Sequence, residues 1–128
     1  MNISFIKAFV WAVLIFIGSA LSGDTLNGVK LINIPGFDKL IHFTWYFFLF
    51  LFLAAGTYKW KGKMSVFNAV IILTVCIFYG GMLELLQGSV FNKRSENIID
   101  FIANCTGAIL ASLIFLKIFK RRFWQKWL

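Results

Sequence analysis

Apolar residues along this chain fall into four long runs, with shorter polar segments between them and a basic stretch at the end. The runs are FIKAFVWAVLIFIGSALS (5–22), LIHFTWYFFLFLFLAAG (40–56), the segment from Ser65 to Gln87, and the segment from Asn97 to Phe119. A bilayer core about 30 Å thick is crossed by roughly 20 apolar residues of helix, so the pattern predicts four membrane spans. The expected architecture is all-α: an integral membrane four-helix bundle forming a single domain over residues 1–128. Pro35 sits in the first polar segment and marks a turn before the second helix. There are no internal repeats or low-complexity tracts.

Composition strengthens this reading. The chain has 128 residues, is 60% hydrophobic and carries five acidic side chains, an apolar content beyond what one soluble core of this length needs. Phe, Trp and Tyr make up 19% of the residues, which suits lipid-facing surfaces and interfacial belts. Cys76 and Cys105 both lie inside apolar runs without CxxC or metal-ligand spacing, so they read as small core residues and not as a disulfide.

Charge adds an orientation. The net charge is +8, but the basic residues flank hydrophobic runs and form no soluble basic face, so the expected partner is anionic lipid and not nucleic acid. Lys7, Lys59, Lys61, Lys63, Lys117, Lys120, Arg121, Arg122 and Lys126 are nine of the thirteen basic residues, and no acid accompanies them. The positive-inside rule places that side, with both termini, in the cytoplasm. The tail KRRFWQKWL alternates basic and aromatic residues, as a segment lying along inner headgroups would. A cleaved signal peptide is the rival reading of residues 5–22, given Lys7, an apolar centre and small residues near Ala20.

The opposite side collects Asp24, Asp38, Glu84, Glu96 and Asp100, which are all five acids, together with His42, Lys30, Lys39, Lys93 and Arg94. At helical spacing Asp38, His42 and Trp45 or Tyr46 share a face of the second span. Gly80, Glu84 and Gln87 share one on the third, and Asn97, Asp100, Asn104 and Gly107 or Ala108 share one on the fourth, continued by Ala111. Three polar faces at one end should converge, because a polar stripe facing lipid is costly. Asp38 and Asp100 fall near helix starts, where the macrodipole favours an anion without any functional role. Glu84 falls near a helix end, where the dipole disfavours it, and must be protonated, paired with a cation such as Arg94 or Lys39, or exposed to a wet cavity.

The pocket so defined has Asp38, His42, Glu84 and Asp100 as its acid/base candidates, with Lys39, Tyr46, Gln87, Arg94 and Asn104 as binding residues. Arg94 offers a planar fork for carboxylate or phosphate, and Asn104 a hydrogen bond between helices. Lys39, Lys93 and Glu96 read equally as solvated loop charges. His42 reads as a general base or a metal ligand; one histidine with carboxylates is a poor zinc set by residue type, so no cofactor is assigned and a metal stays an open alternative.

The ordered set DK..H...Y, E..Q and R.....D...N..G, within residues 37 to 111, resembles the VanZ-like family of small bacterial membrane proteins. By position it corresponds to Asp38, Lys39, His42, Tyr46, Glu84, Gln87, Arg94, Asp100, Asn104 and Gly107. The resemblance implies a multi-pass protein of the bacterial cell envelope. The family's namesake is linked to reduced susceptibility to teicoplanin, a glycopeptide antibiotic that acts outside the membrane.

Function is then expected at the outer leaflet: an extracytoplasmic polar pocket that binds an anionic lipid-linked cell-wall precursor or glycopolymer headgroup, with chemical modification of that headgroup as an open extension. No nucleophile motif or phosphate loop accompanies the pocket. The alternatives are a non-enzymatic envelope or assembly factor whose polar cluster locks the helices, and a small-lipid transporter or flippase. Thr74 and Ser112 are nearly the only polar groups deeper in the third and fourth spans, which argues against a transmembrane path.

Overall fold

A computed structural model describes residues 2–21, 36–89 and 98–128. The described chain forms α1 (Ile3–Ala20), α2 (Phe37–Lys61), α3 (Val66–Ser89), α4 (Ile98–Phe119) and a short α5 (Arg122–Trp127), with no strand among the described residues. The first four are long and apolar enough to cross a membrane. The expected end of the first span at Ser22 and the expected start of the fourth at Asn97 fall outside the described residues, as do Asp24, Lys30, Pro35, Lys93, Arg94 and Glu96.

Hydrogen bonds define the two ends of the bundle. At one end Asn2 Nδ2 donates to the Gly56 carbonyl (3.3 Å) and Lys59 Nζ to Ser4 Oγ (2.9 Å), while Lys7 Nζ donates to the Trp127 carbonyl. At the other, Gln87 Nε2 donates to the Ser19 carbonyl (3.0 Å) and His42 meets Asn104. Hence α1 and α3 run one way, α2 and α4 the other. The nine acid-free cations named above gather at the first end, and Asp38, Glu84 and Asp100 at the second.

α2 is the hub and packs against α1, α3 and α4, most extensively against α4. Its longest buried run is Leu49, Phe50, Leu51, Ala54 and Ala55, which meets Ala108, Ala111 and Phe115 of α4 in the dry core. Large apolar side chains elsewhere face outward, including Phe9, Leu14, Phe67, Val75, Phe78 and Leu113. In water such a surface would be an aggregation hazard; in hydrocarbon it is at home.

α2 continues past Gly56, where the sequence reading ended its span, so Lys59 and Lys61 belong to its last turn. Gly56 does not break the helix; its bare Cα admits the Phe5 ring, whose atoms would lie 2.7 Å from an added Cβ. The stop comes at Gly62, left-handed at φ 71°, whose N–H caps the Tyr58 carbonyl at 2.8 Å. With 25 residues, α2 is about 37 Å long at 1.5 Å per residue, so both charged ends reach headgroup depth. α1 is a packed member of the bundle: Tyr79 Oη donates to the Ala12 carbonyl (2.7 Å) and Trp11 Nε1 to that of Trp45 (2.8 Å).

The α2–α4 approach is closest at Gly107, where an added Cβ would fall 2.1 Å from the Phe43 carbonyl oxygen. That neighbour is backbone and cannot rotate aside. At Gly81 the nearest atom would be Phe101 Cε2 at 3.4 Å, an ordinary contact. Gly107→Ala is therefore expected to cost about 2 kcal/mol or more, and Gly81→Ala less than about 0.5 kcal/mol, in reversible unfolding in detergent. Equal effects would mean that the backbone contact does not set the α2–α4 spacing.

Candidate functional site

Asp38 and Lys39 lie in the first turn of α2, and His42 follows one turn deeper, about 6 Å along the axis from Asp38 at 1.5 Å per residue. Asp100 lies in the first turn of α4, with Asn104 one turn below it. Glu84 comes from the last third of α3. Because α2 and α4 both start at this end while α3 finishes there, three different helices deliver these groups to one level. His42, Glu84, Asp100 and Asn104 are between 2% and 8% exposed, so the polar faces do turn inward and meet.

His42 is the centre of the cluster. Its Nδ1 lies 3.0 Å from Asn104 Oδ1, an amide oxygen that can only accept, which assigns the proton at that contact to Nδ1. Glu84 Oε1 is 3.8 Å from Nδ1, and Asp100 Oδ2 is 3.9 Å from Nε2. One ligand atom from each of His42, Glu84 and Asp100 can be chosen so that all lie within 4.8 Å of one another. The Trp45 ring leans over the imidazole with 5.5 Å between centroids.

Lys39 closes the mouth. Its ammonium donates to Asp38 Oδ2 at 2.5 Å and stands 3.2 Å from Asp100 Oδ1. The second contact is an ion pair without hydrogen-bond geometry, so Asp100 Oδ1 is buried and accepts no hydrogen bond. Lys39 is thus a helix residue paired with two carboxylates, which corrects the solvated-loop reading. Asp38 is the outermost member, its side chain 45% exposed.

The remaining sequence candidates separate. Tyr46 is buried one turn below His42, with its ring against Gly80 and 6.3 Å from that of Tyr79; it forms the floor. Gln87 is buried but turned to α1, donating to the Ser19 carbonyl, so it ties helices together away from the cluster. Arg94, the proposed partner for Glu84 or for phosphate, lies outside the described residues. Trp45 has a definite place beside His42, while Trp11 and Tyr79 belong to none of the three polar faces that helical spacing predicts. An indole N–H and a phenol in an apolar span each need an acceptor, and that need was the available signal.

Below this level the middle of the bundle is largely apolar, and buried polar side chains return at the cationic end with Ser4 and Asn68. Thr74 and Ser112 bond their own helices, to the carbonyls of Val70 and Ile109, on exposed faces. Asn104→Ala should remove the partner of a buried imidazole and lower stability by about 1–3 kcal/mol, whereas Thr74→Val should stay within about 0.5 kcal/mol. Since His42 is the only histidine, ¹⁵N NMR of labelled protein reads it alone. The expected spectrum has a protonated Nδ1 in the wild type and a changed signal in Asn104→Ala; identical spectra would remove Asn104 from its role.

Compared with known proteins, this chain matches no family model, no curated protein and no solved structure.

Proposed function

We propose that this chain is a bacterial cell-membrane protein, VanZ-like in kind, that binds an anionic lipid-linked or cell-wall headgroup at the outer leaflet. In this reading the nine acid-free cations anchor the cytoplasmic end together with both termini, and the carboxylate–histidine cluster opens on the extracytoplasmic side. The VanZ-like resemblance of residues 37 to 111 supports an envelope role and supplies no reaction.

One observation carries the proposal: the buried polar cluster shares a wall with an apolar groove at the same end of the bundle. Trp45 touches His42 on one side and on the other lines a shallow groove with Trp11, Phe37, Leu40, Ile41 and Thr44. A lipid with a charged head and an apolar tail fits that pairing of surfaces. Lys39 offers an ammonium to phosphate, and Arg94 is the second cation that the sequence assigns to the same side. His42 with Glu84 and Asp100 supplies proton-handling groups, with no nucleophile beside them among the described residues, so the reading is one of binding. Thr74 and Ser112 bond their own helices and line no polar path through the middle of the bundle, which weighs against transport through a single chain.

The test is photo-crosslinking in lipid nanodiscs with a photoactivatable polyisoprenyl phosphate. The proposal expects capture that excess unlabelled lipid phosphate competes away, and little capture of the matching neutral alcohol. Lys39→Met should reduce capture by about tenfold, the scale of one charge-assisted hydrogen bond. Glu84→Gln should lose capture while abundance and thermal stability are kept. Equal capture of phosphate and alcohol would overturn the proposal. Loss of capture only in step with loss of stability would favour a helix-locking role instead.

A further inference from the structure

The cluster has a charge problem that a headgroup does not solve. Among the described residues, three carboxylates, Asp38, Glu84 and Asp100, face one ammonium, that of Lys39. Two of the three carboxylates, Glu84 and Asp100, are more than nine-tenths buried. Like charges this close in a weakly polar interior repel, and an arriving anion would add to the repulsion. A divalent cation held among them would offset that repulsion.

Geometry points the same way. With Nδ1 engaged by the Asn104 amide, Nε2 is the ring nitrogen that faces Asp100 Oδ2, 3.9 Å away. Between an imidazole nitrogen and a carboxylate so placed, either a proton or a metal cation completes the contact. An outer amide or carboxylate gripping the far ring nitrogen is how metal-binding imidazoles are usually oriented. Asp100 Oδ1, buried and accepting no hydrogen bond, is a second oxygen on the same carboxylate that bidentate ligation would use.

We infer that the His42 imidazole and the Glu84 and Asp100 carboxylates hold a divalent cation, with Asn104 orienting the imidazole and Lys39 as the cation's competitor for Asp100. Ligand atoms on one ion at about 2.1 Å lie roughly 3.0–3.5 Å apart, so a spread of 4.8 Å needs the donors to draw in by about 1 Å, within reach of small side-chain rotations. Two carboxylates and one imidazole make an oxygen-rich set, which suits Mn²⁺ better than a thiolate-preferring metal. One histidine with carboxylates is a poor set for zinc, but a hard divalent cation takes oxygen donors readily. Positions of the ion not taken by protein would face the mouth and could accept a phosphate oxygen. That last use rests on the headgroup reading of the previous subsection, whereas cation binding does not.

The experiment uses the full chain in nanodiscs, stripped with EDTA and titrated with Mn²⁺ under EPR detection. The expected result is one bound Mn²⁺ per chain, with a ¹⁴N coupling from a single imidazole. Glu84→Gln and Asp100→Asn should each weaken binding at least about tenfold, and His42→Gln should abolish the nitrogen coupling. Lys39→Met should bind more tightly by several-fold, since it removes a competing positive charge. A purely structural salt bridge would not give that increase. The wild-type titration is decisive even if a variant fails to fold: no stoichiometric Mn²⁺, or undiminished binding by a folded Asp100→Asn, overturns the inference. Mn²⁺ binding without lipid-phosphate capture upholds the cation site and overturns the headgroup reading. Capture that persists in EDTA in a chain that binds no Mn²⁺ does the reverse.

Discussion

An ionised carboxylate facing hydrocarbon is among the least tolerable arrangements in a membrane protein, and the upper half of this bundle is organised around avoiding it. Glu84 and Asp100 arrive from different helices and cannot be satisfied on their own faces. Both turn to His42, which α2 presents between them. The helix macrodipoles assist at Asp100, in the first turn of α4, and oppose at Glu84, near the end of α3. Glu84 is thus the member that depends most on the company of the others.

The rest of the structure makes that meeting possible. α2 has to reach both partners, and it does so by touching α4 backbone to side-chain-free backbone at Gly107, one turn below Asn104. Gly80, one turn below Glu84, leaves room for the Tyr46 ring and the Asn104 amide. Small residues under polar ones recur on both helices. The glycines bring the axes together, and the polar groups above them then fall within bonding distance. The outer face carries no comparable information: its Phe, Leu, Ile and Val side chains need only be apolar.

Much of this was legible in the sequence because a membrane imposes simple rules. Span length, the alternation of cationic and acidic ends, and the one-turn spacing of Asp100, Asn104 and Gly107 are local properties of the string, and all appear in the structure. What a helical period cannot tell is which neighbour a face will meet. Gln87 shares a face with Glu84, yet it bonds the Ser19 carbonyl of α1, because α3 sits between two partners. The partners of Trp11 and Tyr79 are backbone carbonyls, which leave no mark in a sequence. Gly56 was read as a helix end and is an aromatic seat; only the space around it distinguishes the two.

The account as a whole depends on the cationic and carboxylate ends facing opposite sides of the membrane. Sided labelling of intact cells tests this directly, using a chain in which Cys76 and Cys105 are replaced and one new cysteine is placed at a time. Lys63, exposed just beyond α2, marks the cationic end, and Ser89, exposed at the end of α3, marks the carboxylate end. The account predicts that Ser89→Cys reacts with an impermeant maleimide from outside while Lys63→Cys reacts only after the cells are opened. Labelling of Lys63→Cys from outside with Ser89→Cys protected, or equal labelling of both from one side, would contradict it.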